Sequence, residues 1–416
     1  MKIEIKVTQK NPFALLAHIV MALVTYAYFT LSNIPFITYI MLGSMVLYVL
    51  STGNWNRKIG NGYLAYSVIQ IVYIFAISTG STAQSSMARS IIYQMLVCSC
   101  FFVYCYFDKT AVNRVLLLIS ISVVILCVRV FIDDSFSSLI RNIDSTGQYY
   151  TYGDNNRNTI GIILGVGALY MLHLGYTRTK LWFIPMALSV VLGLFTGSRK
   201  SILVVTVGCL LYAYLYAKYG KKKKKTKGFL AFLFIILFVI LLVYACYNSP
   251  ILYNIVGYRL EGFIALFTGE GQQETSAVIR SMMLAKAIEM FEEKPLFGWG
   301  IEGFAIHSGF GVYCHNNYME TLVSFGVFGF MLIYGGKFIL LGLQAKAMKA
   351  QAPMQISALQ IVIFVLMVTS LIIDMAAVTM NGVVTNLPFA FSAAMLFLEG
   401  NRRFYQYENS VRSCTD

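Results

Sequence analysis

The chain has 416 residues and a formal net charge of +14, with 58% hydrophobic and 12% charged residues. A soluble domain runs about 45–50% apolar and about 25% charged, so a soluble globule, a disordered chain, a coiled coil and a fibrous protein are excluded. Four histidines and eight cysteines are too few for a metal-rich or disulfide-stapled scaffold, which leaves a polytopic integral membrane protein.

A spanning helix needs about 20 mostly apolar residues. Twelve such runs follow one another: 13–31, 35–51, 63–79, 90–107, 112–132, 158–176, 181–197, 201–217, 229–247, 318–341, 356–373 and 382–398. The first resembles a signal-peptide core, but it lacks a small-residue cleavage site and reads as a retained anchor. The charges inside the runs are Arg129, Glu320 and Lys337, each expected within a turn or two of a span end. Barrel strands would alternate polar and apolar residues. Runs such as 229-FLAFLFIILFVILLVYACY-247 do not, so the fold class is all-α.

Lys and Arg concentrate on one set of connections, including 218-KYGKKKKKTKG-228, while Asp and Glu favour the other. The positive-inside bias then predicts cytoplasmic N- and C-termini. The basic excess belongs to the inner face and requires no nucleic acid; the lysine run reads as an anchor at anionic headgroups. Cys98, Cys100, Cys105, Cys127, Cys209 and Cys246 fall in spans, where cysteine behaves as a small hydrophobe, and Cys314 falls clearly outside.

Two outer connections are long. One is 133–158; the other is 248–317, giving a division into spans 1–247, a large extracytoplasmic loop 248–317, and spans with a cytoplasmic tail 318–416. Loops of that length are usually functional. Residues 251–267 fit an interfacial helix. Residues 275–295 start at a Thr/Ser cap and stop at Pro295, predicting a true helix, with Arg280 in its second turn and Leu284 and Ala287 marking its apolar side.

No Asp-x-Asp pair, P-loop or Gly-x-Ser-x-Gly elbow occurs. His307, Cys314 and His315 are the candidate zinc ligands, and their spacing is wrong, so no metal and no cofactor are expected. Histidine acid/base chemistry with arginines remains. Three outer features stand out: 196-TGSRKSIL-203 with Arg199 and Lys200, Arg280, and 315-HNNYMETL-322. Each has a plainer alternative: interface anchoring for Arg199 and Lys200, a solvated charge for Arg280, and an interfacial polar cap for His315. Parity of the spans puts all three on one face.

The stretch from Arg280 through Pro295-Leu-Phe-Gly298-Trp-Gly300 to His315-Asn316, then Gly326 and Gly329, resembles the signature region of the O-antigen polymerase and O-antigen ligase family. The Ser198-Arg199-x-x-x-Leu203 motif does too. The resemblance implies glycan transfer on the outer face of the bacterial plasma membrane, from an undecaprenyl-diphosphate-linked oligosaccharide. It also implies an all-helical fold of the C superfamily of membrane glycosyltransferases, and membrane lipids, a chain-length regulator and a flippase as partners. Its functional residues fall on Arg199, Arg280 and His315. Lys200, Arg259, Asn316 and Tyr318 complete the candidate substrate-binding set. The expected reaction is polymerisation of repeat units. A ligase moving finished glycan to another acceptor is the alternative. A lipid-linked oligosaccharide flippase fits less well, because flippases place charge within spans. Tyr149, Tyr150, Tyr152, Trp299, Phe304, Phe310, Tyr313 and Tyr318 are aromatics that could stack on sugars, or else belong to the interfacial belt.

Overall fold

The computed structural model describes residues 12–51 (except 33 and 35), 61–77, 82–133 (except 109), 156–219 (except 197), 275–351 and 358–412, with scattered positions between 240 and 257. Thirteen α-helices run through them, and no strand occurs among the described residues. They are α1 Pro12–Thr30, α2 Ile37–Ser51, α3 Asn61–Ile77, α4 Thr82–Phe107, α5 Ala111–Asp133, α6 Arg157–Thr177, α7 Phe183–Phe195, α8 Arg199–Tyr219, α9 Thr275–Glu293, α10 Gly303–His307, α11 Asn317–Gln351, α12 Ala358–Asp374 and α13 Val383–Arg412. Six of the described helices are long and apolar enough to cross a membrane, and five more are apolar but shorter. The chain is a helical, multi-pass membrane protein. The ninth run, 229–247, the interfacial helix at 251–267, the loop 134–155 and Arg259 lie essentially outside the described residues.

The central helix is α6, which is buried over most of its length. Its glycines let neighbours approach closely. A Cβ at Gly161 would stand 2.7 Å from the Ser198 Cβ, and one at Gly208 on α8 would meet the Leu169 side chain at 2.5 Å. The start of α8 is therefore seated directly on the middle of the bundle. Thr196 caps the preceding carbonyl of Gly193 (2.7 Å) and accepts from the Ser198 N–H (3.2 Å), while the Ser198 hydroxyl donates to Asn158 Oδ1 (3.1 Å). That corner holds Arg199 and Lys200.

The tenth run departs most from expectation. A straight 35-residue helix would be about 52 Å long, well beyond about 30 Å of hydrocarbon. Instead α11 breaks at Gly326, whose φ is +63 and ψ −169. Asn317 Nδ2 donates to the Tyr334 hydroxyl at 2.7 Å, and the Tyr318 ring stacks on the Tyr334 ring at 4.5 Å. In a straight helix those residues would be about 25 Å apart, so a short arm, 317–325, folds back along a long arm, 327–351.

A break in a membrane helix exposes backbone groups that lipid cannot satisfy, and they need internal partners. The segment 295–300 provides them. Trp299 N–H donates to Val323 O (2.7 Å) and Gly300 N–H to Ser324 O (3.0 Å). In return Val327 N–H donates to Pro295 O (2.8 Å) and Phe328 N–H to Leu296 O (3.3 Å). Such close approach needs glycine on both sides. A Cβ at Gly298 (φ +72) would lie 2.5 Å from Val323 O, and one at Gly326 would lie 2.2 Å from Leu296 O. From α3, Tyr73 donates to Phe325 O (2.9 Å), Gln70 to Leu332 O (3.1 Å) and Tyr66 to Ile333 O (2.9 Å). Gly329 and Gly336 leave room for the Tyr73 and Tyr66 rings.

This geometry corrects one expectation about charge. Lys337 does not lie near a span end; it sits mid-helix in the long arm, buried, 3.4 Å from Asp374 at the end of α12. Its ammonium also faces the Tyr334 ring at 5.1 Å. Asp374 accepts from the Tyr334 hydroxyl (2.9 Å) and from Thr379 Oγ1, and Asn317 Oδ1 accepts from the Thr379 N–H (3.2 Å). A buried charge pair survives only with such additional hydrogen bonds. Glu320 does lie in the first turn of α11, at the entry of the run as expected, and it is buried there.

The helix expected at 275–295 is α9, Thr275–Glu293. Its buried side runs through Met283, Ala287 and Met290, while Leu284 is exposed. Ala287 thus faces the core as expected, and Met283 takes the place expected for Leu284. Met283, Ala287 and Met290 join Phe304, Cys314 and Val323 in a small core of their own.

Candidate active site

The segment 314–320 is over-determined by hydrogen bonds. Asn316 Oδ1 accepts from the Tyr318 N–H (3.0 Å) and the Met319 N–H (3.1 Å), an N-cap of the short arm. The buried Glu320 carboxylate reaches back to accept from the Cys314 N–H at 2.9 Å and from Ser324 Oγ at 3.4 Å. Cys314 Sγ donates to Asn316 O at 3.1 Å. Between these fixed points His315 is held at φ +59, the left-handed region. A non-glycine residue there costs about 1–2 kcal/mol, and such outliers concentrate where a side chain must be aimed.

His315 is half-buried, and its ring lies 4.5 Å from the Tyr313 ring. Its pKa is lowered to about 4, first by burial, then by the Arg280 guanidinium and the Lys200 ammonium. The imidazole is thus neutral at neutral pH, and the charges acting on it are both cationic. The structure brings Arg280 from α9, Lys200 from α8 and His315 from the start of α11 into one electrostatic neighbourhood. Lys200 is 8% exposed and Arg199 half-exposed. Lys200, which the sequence places beside Arg199 in the candidate substrate-binding set, carries a charge that acts on the histidine.

The other candidates divide by what their polar atoms already do. Asn316 uses its Oδ1 to cap the short arm, and Tyr318 donates its hydroxyl to Leu371 O at 2.8 Å. Trp299 donates to Met290 O (2.7 Å) and carries the Lys294 ammonium over its ring at 3.8 Å; Phe304 is fully buried. Tyr313 remains exposed beside His315. Cys314 is buried in the small core beside α9, and its thiol is pushed up to about 12 by burial and by Glu320. Among the described residues no three His, Cys, Asp or Glu side chains converge on a metal-sized site.

Sequence reasoning missed Glu320 and Asp374. The Glu320-to-Cys314 bond spans a tight turn and has a readable signal, an acid following a His-Asn pair by a few positions. Asp374 pairs with Lys337 across two helices, and no local pattern announces it.

The fold and this site define a multi-pass helical membrane protein with a neutral, strained histidine flanked by two cationic side chains. Residues 184–334 match the family described as O-antigen ligase, and no curated protein matches. The matched region includes Arg199, Arg280, His315, Gly298, Gly300, Gly326 and Gly329, which bears out the family resemblance carried by those motifs.

Proposed function

We propose that the chain is a glycosyltransferase that polymerises undecaprenyl-diphosphate-linked repeat units into a capsular or O-antigen polysaccharide, on the outer face of the bacterial plasma membrane. The observation that carries this reading is the two cations acting on the neutral His315 within the matched segment. A hydroxyl of the acceptor sugar attacks the anomeric carbon of the donor, its proton passes to His315, and the bond from that carbon to the diphosphate oxygen breaks. The electron pair leaves with undecaprenyl diphosphate. Arg280, with Arg199 and Lys200, stabilises the charge that grows on the leaving group, through an interaction strongest in the transition state. Arginine forks suit this because they grip phosphate oxygens in pairs and stay charged.

The lowered pKa of His315 fits the sequence of events. Burial, and after it the two cations, hold the base neutral; an arriving diphosphate offsets the cationic charge and raises its basicity when a proton has to be taken. The reading requires no metal and keeps both termini cytoplasmic.

Ligation of a finished glycan to a different acceptor is the second reading, favoured by the description of the matched family. The deciding experiment supplies purified protein with its lipid-linked repeat unit alone. A ladder of glycans establishes polymerisation. Transfer that begins only on adding a second acceptor establishes ligation. Absence of transfer under both conditions overturns the glycosyltransferase reading.

A further inference from the structure

Next to His315, through the Tyr313 ring that it touches, lies a cleft of about 250 Å³, lined on one side by Ile301, Glu302 and Tyr313 and on the other by Val378 and Met380. Glu320 forms part of its wall, but its oxygens are engaged by Cys314 and Ser324. Glu302 differs. It precedes α10 at φ +57 and makes no capping bond to that helix. Among the described residues its carboxylate has neither a hydrogen-bond nor an ion-pair partner. The far wall is held in place by the Asn317–Thr379 and Asp374–Thr379 bonds. The region around His315 is therefore polarised, with cations from α8 and α9 acting on the imidazole and carboxylates in the adjoining cleft.

Resting on the transferase reading above, we propose that this cleft is the acceptor-sugar subsite and that Glu302 selects an uncharged or amine-bearing terminal sugar over a uronic acid. A carboxylate without a partner can accept a charge-assisted bond from a sugar hydroxyl or ammonium. The Tyr313 ring, beside the histidine, offers an apolar face to the pyranose. A uronate in the same place would meet the like charge of Glu302, and like-charge juxtaposition is a common basis of rejection.

The test uses purified full-length protein in nanodiscs, with the lipid-linked repeat unit that accumulates in cells lacking it. Methyl glucoside, methyl 2-amino-2-deoxyglucoside and methyl glucuronide serve as competitors of transfer. The first two should compete at concentrations at least about 10-fold lower than the glucuronide. Glu302→Gln, which preserves size, should erase that gap, while Glu292→Gln on the exposed side of α9 should keep it. Equal competition by the glucuronide in the wild type, or an unchanged gap in Glu302→Gln, overturns the proposal. If no transfer occurs at all, the transferase reading fails separately. Saturation-transfer NMR of the same three glycosides, on wild type and Glu302→Gln, still decides whether the cleft has this preference.

Discussion

Two histidines sit in polar clusters at different places in the molecule. His18, on α1, is joined to the Tyr104 hydroxyl at 2.8 Å and to Arg114 at 3.2 Å, and Arg114 is in turn paired with Asp108 at 2.7 Å. Both of its ring nitrogens have partners, its cation is answered by a carboxylate, and its backbone is helical. His315 sits in a connecting segment at φ +59, with Arg280 and Lys200 as the charges acting on it and a cleft alongside. The first cluster ties three helices together and is complete as it stands. The second has only cations acting on its imidazole, which the proposed transferase reading explains by a diphosphate that arrives carrying negative charge. Residue type alone does not separate them; backbone conformation and the sign of the surrounding charge do.

The largest expected effect breaks or upholds this contrast directly. His315→Ala should lower glycan transfer by about 10²–10⁴-fold with the protein still folded, whereas His18→Ala should leave turnover within a few-fold. The ladder assay on both variants, normalised to protein purified in detergent, checks it. Equal losses would make the two clusters equivalent.

Next in size is the fold-back that aims His315. Gly326→Ala places a Cβ 2.2 Å from Leu296 O at a positive φ, and Gly298→Ala meets Val323 O at 2.5 Å. Each should destabilise by several kcal/mol through strain and displaced backbone bonds. Gly342→Ala in the same helix, with open space around its Cα, should be near neutral. Thermal unfolding in detergent ranks the three.

The charges acting on His315 come third. If Arg199 and Arg280 clamp a diphosphate, lysine supplies charge without the planar fork, and Arg280→Lys and Arg199→Lys should each lose most activity. If they only anchor the chain at the interface, lysine should serve equally well. Lys200→Gln should lower the rate by about 10-fold, because the ammonium that acts on His315 is gone.

The smallest effect is the most specific. The general base must be neutral, so activity falls as pH drops through its pKa. In kcat/KM, which reports the free enzyme, that fall should lie near pH 4, where burial, Arg280 and Lys200 hold His315. In kcat, which reports the loaded enzyme, it should lie higher, because a bound diphosphate offsets the two cations. A kcat profile shifted to lower pH than kcat/KM would contradict the arrangement.

The apolar runs were legible because lipid demands long stretches without charge, and most of them fall on helices. Arg199, Arg280 and His315 were legible as candidates because they have recognisable neighbours, and of them the structure brings Arg280 and His315 together. The break in α11 was not, since a glycine in an apolar run reads as a tolerated residue. Its meaning comes only from the partner segment 295–300, whose own glycines were recorded as signature and not as contacts. Lys337 and Asp374 were each legible as charges but not as a pair, because their meeting depends on how far α11 folds back. The stripe on α9 was misplaced onto Leu284, because Met283 and Leu284 are equally apolar and only the neighbouring core chooses between them. Lys200 was legible as a candidate beside Arg199, but its burial was not: adjacent cations at a helix start point in different directions, and the sequence does not say which faces inward.

The mutual bonding of 295–300 with the bend at Gly326 also bears on how the protein is made. Residues 317–351 leave the ribosome as one apolar stretch, long enough to enter the bilayer upright as an unbroken rod. Buckling that rod uncovers amides and carbonyls in a medium without water, which is prohibitive unless Pro295, Leu296, Trp299 and Gly300 are there to meet them. Those residues are synthesised earlier, already braced by α9 through the bond from Trp299 to Met290. The order of the chain thus places the template ahead of the element it bends, and a variant that loosens the template should strand α11 upright, inserted in the membrane but without its histidine in place.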